Sequence, residues 1–127
     1  MNGFELQRLD HVSLNVGDRQ RSIAWYRDVL GLEQRGEAGR DDQPVFMGEF
    51  GACVALFQAQ VQSGERRSES TGLRHIAFML GRDDLGRAQA HLRGQDVEFR
   101  SEDHGNALSV YLADLDGNVI ELTTYDR

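Results

Sequence analysis

With 127 residues, 39% hydrophobic and 28% charged, the chain has material for one core or two half-size modules, and its composition excludes wholesale disorder. A net charge of −7, with all 14 basic residues arginine, argues against sequence-independent nucleic-acid binding, which needs basic side chains to neutralise phosphates. No apolar run approaches the roughly 18 residues of a membrane span, Met1 to Glu5 lack a secretory pattern, and Cys53 is the single cysteine, so a cytoplasmic protein without an intrachain disulfide is expected.

The first informative stretch is Leu9 to Val16, where Val12, Leu14 and Val16 alternate with His11, Ser13 and Asn15 at the period of a two-faced strand. Gly17-Asp18 breaks the strand, and Asp18 is suited to cap a helix. Ile23, Tyr26, Val29 and Leu30 recur at helical spacing, with Gly31 as the left-handed stop. Strand-like runs follow at Val45 to Met47 and Ala52 to Phe57, and the polar stretch Gln58 to Thr71 reads as a loop. The pattern then restarts. Leu73 to Leu80 sets Ile76, Phe78 and Leu80 against His75, Ala77 and Met79, and a helix-like segment runs from Asp84 to about Arg93. Further strand-like runs lie at Val97 to Phe99, Leu108 to Leu112 and Val119 to Thr124, with Asp116-Gly117 predicting a type I′ hairpin turn.

The two halves align element for element at a spacing of 64 to 66 residues, with His11 on His75 and the segment from Phe50 to Leu56 on Asp116 to Leu122. One strand-helix-strand-strand-strand unit therefore occurs twice, and each copy alone would expose an apolar sheet face. Alternation sends His11, His75 and Glu121 to the face opposite the helices. A carboxylate in an apolar strand is costly unless paired, and two imidazoles with one carboxylate make the ligand set of a facial triad, which leaves coordination positions open. Ser13, Ser109, Tyr111 and Cys53 alternate onto the same faces, and Cys53 reads as a small buried hydrophobe with no basic neighbour.

These motifs resemble the vicinal oxygen chelate superfamily, which includes glyoxalase I, extradiol dioxygenases, fosfomycin-resistance thiol transferases and bleomycin-binding proteins. The carriers are Leu9-Asp10-His11-Val12, Ser22 to Tyr26 with Leu30-Gly31-Leu32, Leu73 to Phe78, and Tyr111 to Leu122, where Leu115 replaces the family's usual proline. The resemblance implies an α+β fold of two tandem βαβββ modules forming an open, cup-shaped mixed sheet with helices packed outside. It implies one domain over residues 1–127, with module one at about 7–58, a polar linker at 59–71 and module two at about 72–125. It further implies a small-molecule substrate and one divalent metal ion per site, Fe2+ or Mn2+ before Zn2+, Ni2+ or Co2+. A homodimer is also implied, in some members with His11 donated by one chain and His75 and Glu121 by its partner.

Among family members, glyoxalase I adds a fourth protein ligand at the position of Ala55, which cannot bind metal, and bleomycin-binding members lack the triad. Dioxygenase-like chemistry comes first, with Tyr111 and His104 as candidate catalytic residues and Ser13 and Ser109 as candidate substrate contacts. The Asp103-His104-Gly105 stretch resembles the His-Gly sequence of small catechol dioxygenase-like proteins. The alternatives are a metal-dependent thiol transferase, a glyoxalase-like lyase, or a non-catalytic binding module walled by Trp25 and phenylalanines. Spacing alone does not aim Arg74 or Arg100 at the site.

Overall fold

The computed structural model describes residues 2–49, 51–61 and 71–126 and divides into two compact units, Met1–Gln60 and Val61–Arg127. The first unit contains β1 (Val12–Val16), α1 (Arg19–Leu30), β2 (Gln34–Arg35), β3 (Val45–Glu49) and β4 (Ala52–Gln58), in the sheet order β1-β4-β3-β2. The second contains β5 (Ile76–Met79), α2 (Arg82–Gly94), β6 (Arg100–Asp103), β7 (Leu108–Ala113) and β8 (Val119–Thr124), in the order β5-β8-β7-β6. In each open sheet the first pair is parallel and the other two are antiparallel. The architecture is α+β, with one βαβββ pattern occurring twice. Most of the linker expected at 59–71, residues 62–70, lies outside the described residues, as does Phe50.

Alternation sorts the side chains. In the first unit Leu14, Val16, Val45, Met47, Val54 and Leu56 are buried, as are Ile23, Tyr26 and Val29 of α1. In the second, Ile76, Val110, Leu112, Ile120 and Leu122 are buried together with Leu85 and Leu92 of α2. Each such aliphatic side chain contributes roughly 1.5–3 kcal/mol on leaving water. The opposite sheet faces are thereby left to carry the polar residues.

The ends of α1 follow the expected chemistry. Asp18 accepts a hydrogen bond from the Arg21 amide at 3.2 Å, and Gly31 stops the helix at φ 70°. Arg19, only 5% exposed, uses its guanidinium to hold the following loop, donating to Gln43 O at 2.5 Å and Arg40 O at 3.4 Å.

Two sequence expectations change and one element was not foreseen. The Val97 amide donates to Leu92 O at 3.0 Å to close α2, with Asp96 left-handed at φ 56°. Val97 therefore closes the helix cap, residues 98 and 99 lead out of it, and β6 begins only at Arg100. The turn between β7 and β8 is not type I′. It runs one residue earlier, with the Gly117 amide donating to Asp114 O at 3.1 Å and only Gly117 at positive φ, 83°. That is the three-residue hairpin loop with a left-handed glycine. Last, β2 has two residues, too few for a sequence period to show.

Candidate metal and substrate site

His11 and His75 occupy the same place in the two units, one residue before the first paired residue of β1 and β5. The registers extend the equivalence across each sheet. In the first unit Ser13 pairs with Ala55, Ala55 with Phe46, and Phe46 with Arg35. In the second, Ala77 pairs with Glu121, Glu121 with Tyr111, and Tyr111 with Arg100. Directly paired residues share a face. Each unit therefore carries one row of side chains on its polar face: Ser13 or Ala77, then Ala55 or Glu121, then Phe46 or Tyr111, then arginine, with His11 or His75 two residues before the first member on the same strand face.

The second row holds most of the chemistry. His75 Nε2 lies 3.0 Å from Glu121 Oε1, although Glu121 is only 9% exposed. Ser109 Oγ donates to Glu121 Oε2 at 2.6 Å and lies 2.9 Å from Thr123 Oγ1. Ser109 is thus on the expected face, but it is 1% exposed and its hydroxyl is turned onto Glu121. The Tyr111 ring meets His75 edge-on, with centroids 5.9 Å apart, and its hydroxyl is 2.9 Å from His104 Nε2. The Arg100 guanidinium stacks 4.5 Å from the Tyr111 ring centre and pairs with Glu102, so the structure aims an arginine that spacing could not. Burial, and next the Glu121 carboxylate, push the Tyr111 phenol above its ordinary pKa, so it stays protonated and able to donate at neutral pH.

In the first row, His11 Nδ1 lies 2.7 Å from Asp10 Oδ2 and its ring meets Phe46 edge-on at 5.2 Å. With Nδ1 held by a carboxylate, Nε2 is the nitrogen left to bind a metal, the usual arrangement behind a ligating histidine. Ser13 is exposed on the same side of β1. Asp10, Arg35, Gly36 and Phe46 line a hollow of about 530 Å³. Arg35 also reaches the buried Cys53 thiol, so Cys53 does have a basic neighbour. The missed signal lay in β2, too short to be read. Burial outweighs Arg35 and pushes the thiol pKa up.

The donor set suits a divalent cation: an imidazole nitrogen and a carboxylate oxygen already face each other in the second unit, and His11 has its supporting carboxylate in the first. Among the described residues, no group of three His, Cys, Asp or Glu side chains that could hold a metal ion is gathered. Trp25 packs edge-on against Tyr26 at 4.9 Å, a helix contact rather than a wall of the polar face. Among the described residues no helix is long and apolar enough to cross a membrane.

Residues 8–122 match the family model of the Glyoxalase/Bleomycin resistance protein/Dioxygenase superfamily. The chain is 26% identical over 117 residues to glutathione transferase FosA of Serratia marcescens, a match spanning 92% of this chain and 80% of that protein. It is 29% identical over 117 residues to catechol-2,3-dioxygenase of Bacillus subtilis (strain 168), spanning 90% of this chain and 40% of the dioxygenase. The crystal structure of a glyoxylase/bleomycin resistance protein/dioxygenase domain from Frankia sp. EAN1pec shares the fold, with a TM-score of 0.80 at 23% identity over 94% of this chain and 93% of that one. With its doubled βαβββ unit and a family match that takes in both histidines and Glu121, the chain belongs to the glyoxalase/bleomycin resistance protein/dioxygenase superfamily, the vicinal oxygen chelate group.

Proposed function

We propose that the chain is a metal-dependent enzyme that binds a small substrate through two adjacent oxygens, with dioxygenase-like chemistry. His75, Glu121 and His11 are the proposed metal ligands. The observation that carries the reading is the 3.0 Å approach of His75 Nε2 to Glu121 Oε1 beside a tyrosine whose hydroxyl meets a histidine. A bound divalent cation would supply Lewis acidity to the chelated oxygens.

The remaining work falls to the chain itself. Tyr111 donates a hydrogen bond to a substrate oxygen and steadies the negative charge that develops there. His104, joined to Tyr111 through Nε2, accepts a proton from a substrate hydroxyl or returns one. Ser13 is the proposed substrate contact from β1.

A thiol-transferase reading stands beside this one, because FosA is among the relatives and the Arg100 guanidinium lies over Tyr111, where it would meet a phosphonate. One preparation decides between them. Loaded anaerobically with Fe2+ and given a panel of catechols, the protein is expected to take up oxygen, and His104→Ala to lower kcat by about 100-fold. Thiol consumption with an epoxide phosphonate under Mn2+, without oxygen uptake, would put the transferase reading in its place.

A further inference from the structure

Glu121 has two carboxylate oxygens, and the structure gives them different partners, with the Tyr111 hydroxyl also hydrogen-bonded to the carboxylate. Oε1 faces His75 Nε2 at 3.0 Å, while Oε2 is met by Ser109 Oγ at 2.6 Å. Proton counting orders the hydroxyls behind that contact. Ser109 has one hydroxyl proton, and a carboxylate is the stronger acceptor, so that proton goes to Glu121. The 2.9 Å contact between Ser109 Oγ and Thr123 Oγ1 then takes its proton from Thr123, whose other acceptor among the described residues is Leu108 O at 3.4 Å. Ser109 and Thr123 are both buried, on the face that carries Glu121, and β7 pairs Ser109 directly with Thr123 of β8. A short hydroxyl chain therefore runs Thr123 to Ser109 to Glu121, each link strengthening the next.

We propose that Ser109, backed by Thr123, is a positioning residue that commits Glu121 to bind metal through Oε1 alone. This inference rests on the metal-site reading above. Its functional consequence is room: a glutamate held to one oxygen would leave more of a bound cation free for substrate oxygens. It also reassigns Ser109 from touching substrate to acting through Glu121.

The test is Mn2+ affinity of the full chain, read from the electron paramagnetic resonance signal of free Mn2+. Ser109→Ala is expected to weaken binding roughly 10–100-fold, the usual effect of removing a group that orients a metal ligand. Thr123→Val should weaken it about threefold to tenfold, and Thr123→Ser, which keeps the hydroxyl, should restore near wild-type affinity. A role in folding alone would lower the melting temperature without this hydroxyl-dependent order of affinities. Wild-type affinity in Ser109→Ala overturns the proposal and leaves the metal site standing. If Ser109→Ala does not fold, Thr123→Val carries the test, and unchanged affinity there overturns it equally. No Mn2+ binding by wild type would remove the metal reading and this inference together.

Discussion

At Cys53 two effects oppose each other: burial pushes the thiol pKa up, and the Arg35 guanidinium pulls it down. Burial is the larger, so little thiolate exists at neutral pH and the side chain should be inert. Iodoacetamide at pH 7 is expected to label the native protein at least about tenfold more slowly than the unfolded chain. Comparable rates would show that Arg35 wins. Because the folded pKa is raised, the contribution of this thiol to stability is present below its unfolded pKa and is lost as pH rises through the folded value. Alternation in the sequence was enough to put Cys53, Ser109 and Tyr111 on the polar faces. It could not reveal their partners, because Arg35, Arg100 and Thr123 come from other strands, and register is a property of the folded sheet.

At the scale of elements, the β7–β8 turn shows how a side chain overrides a dipeptide signal. The Asp114 carboxylate accepts from the Asp116 amide at 2.9 Å, the Asn118 amide at 2.8 Å and Asn118 Nδ2 at 2.9 Å. Those bonds draw the turn back to start at Asp114, and Leu115 is exposed in the loop. Replacing Asp114 with alanine leaves two backbone amides without their acceptor and is expected to cost about 2 kcal/mol, measured by urea denaturation. A loss below about 0.5 kcal/mol would mean that the backbone alone sets the turn. The helices and longer strands were legible because their periods run for several residues. The missed details, β2, the late start of β6 and the turn type, depend on two residues or on a single hydrogen bond, and no period exists at that length.

For the whole molecule, the duplication explains why the two units are unequal in chemistry. The row that carries Glu121 and Tyr111 in the second unit carries Ala55 and Phe46 in the first, so the first has no carboxylate at the equivalent place. The repeat was readable from the element-for-element alignment of the two halves, with His11 on His75, and the family from the four motif stretches that include them. The central claim is that His11, His75 and Glu121 bind a catalytic metal. Elemental analysis of metal per chain tests it most directly, with wild type beside His75→Ala after anaerobic loading with Fe2+ or Mn2+. The account predicts about one equivalent in wild type and its loss in the variant. Metal-free wild type, or equal metal in both proteins, would contradict it.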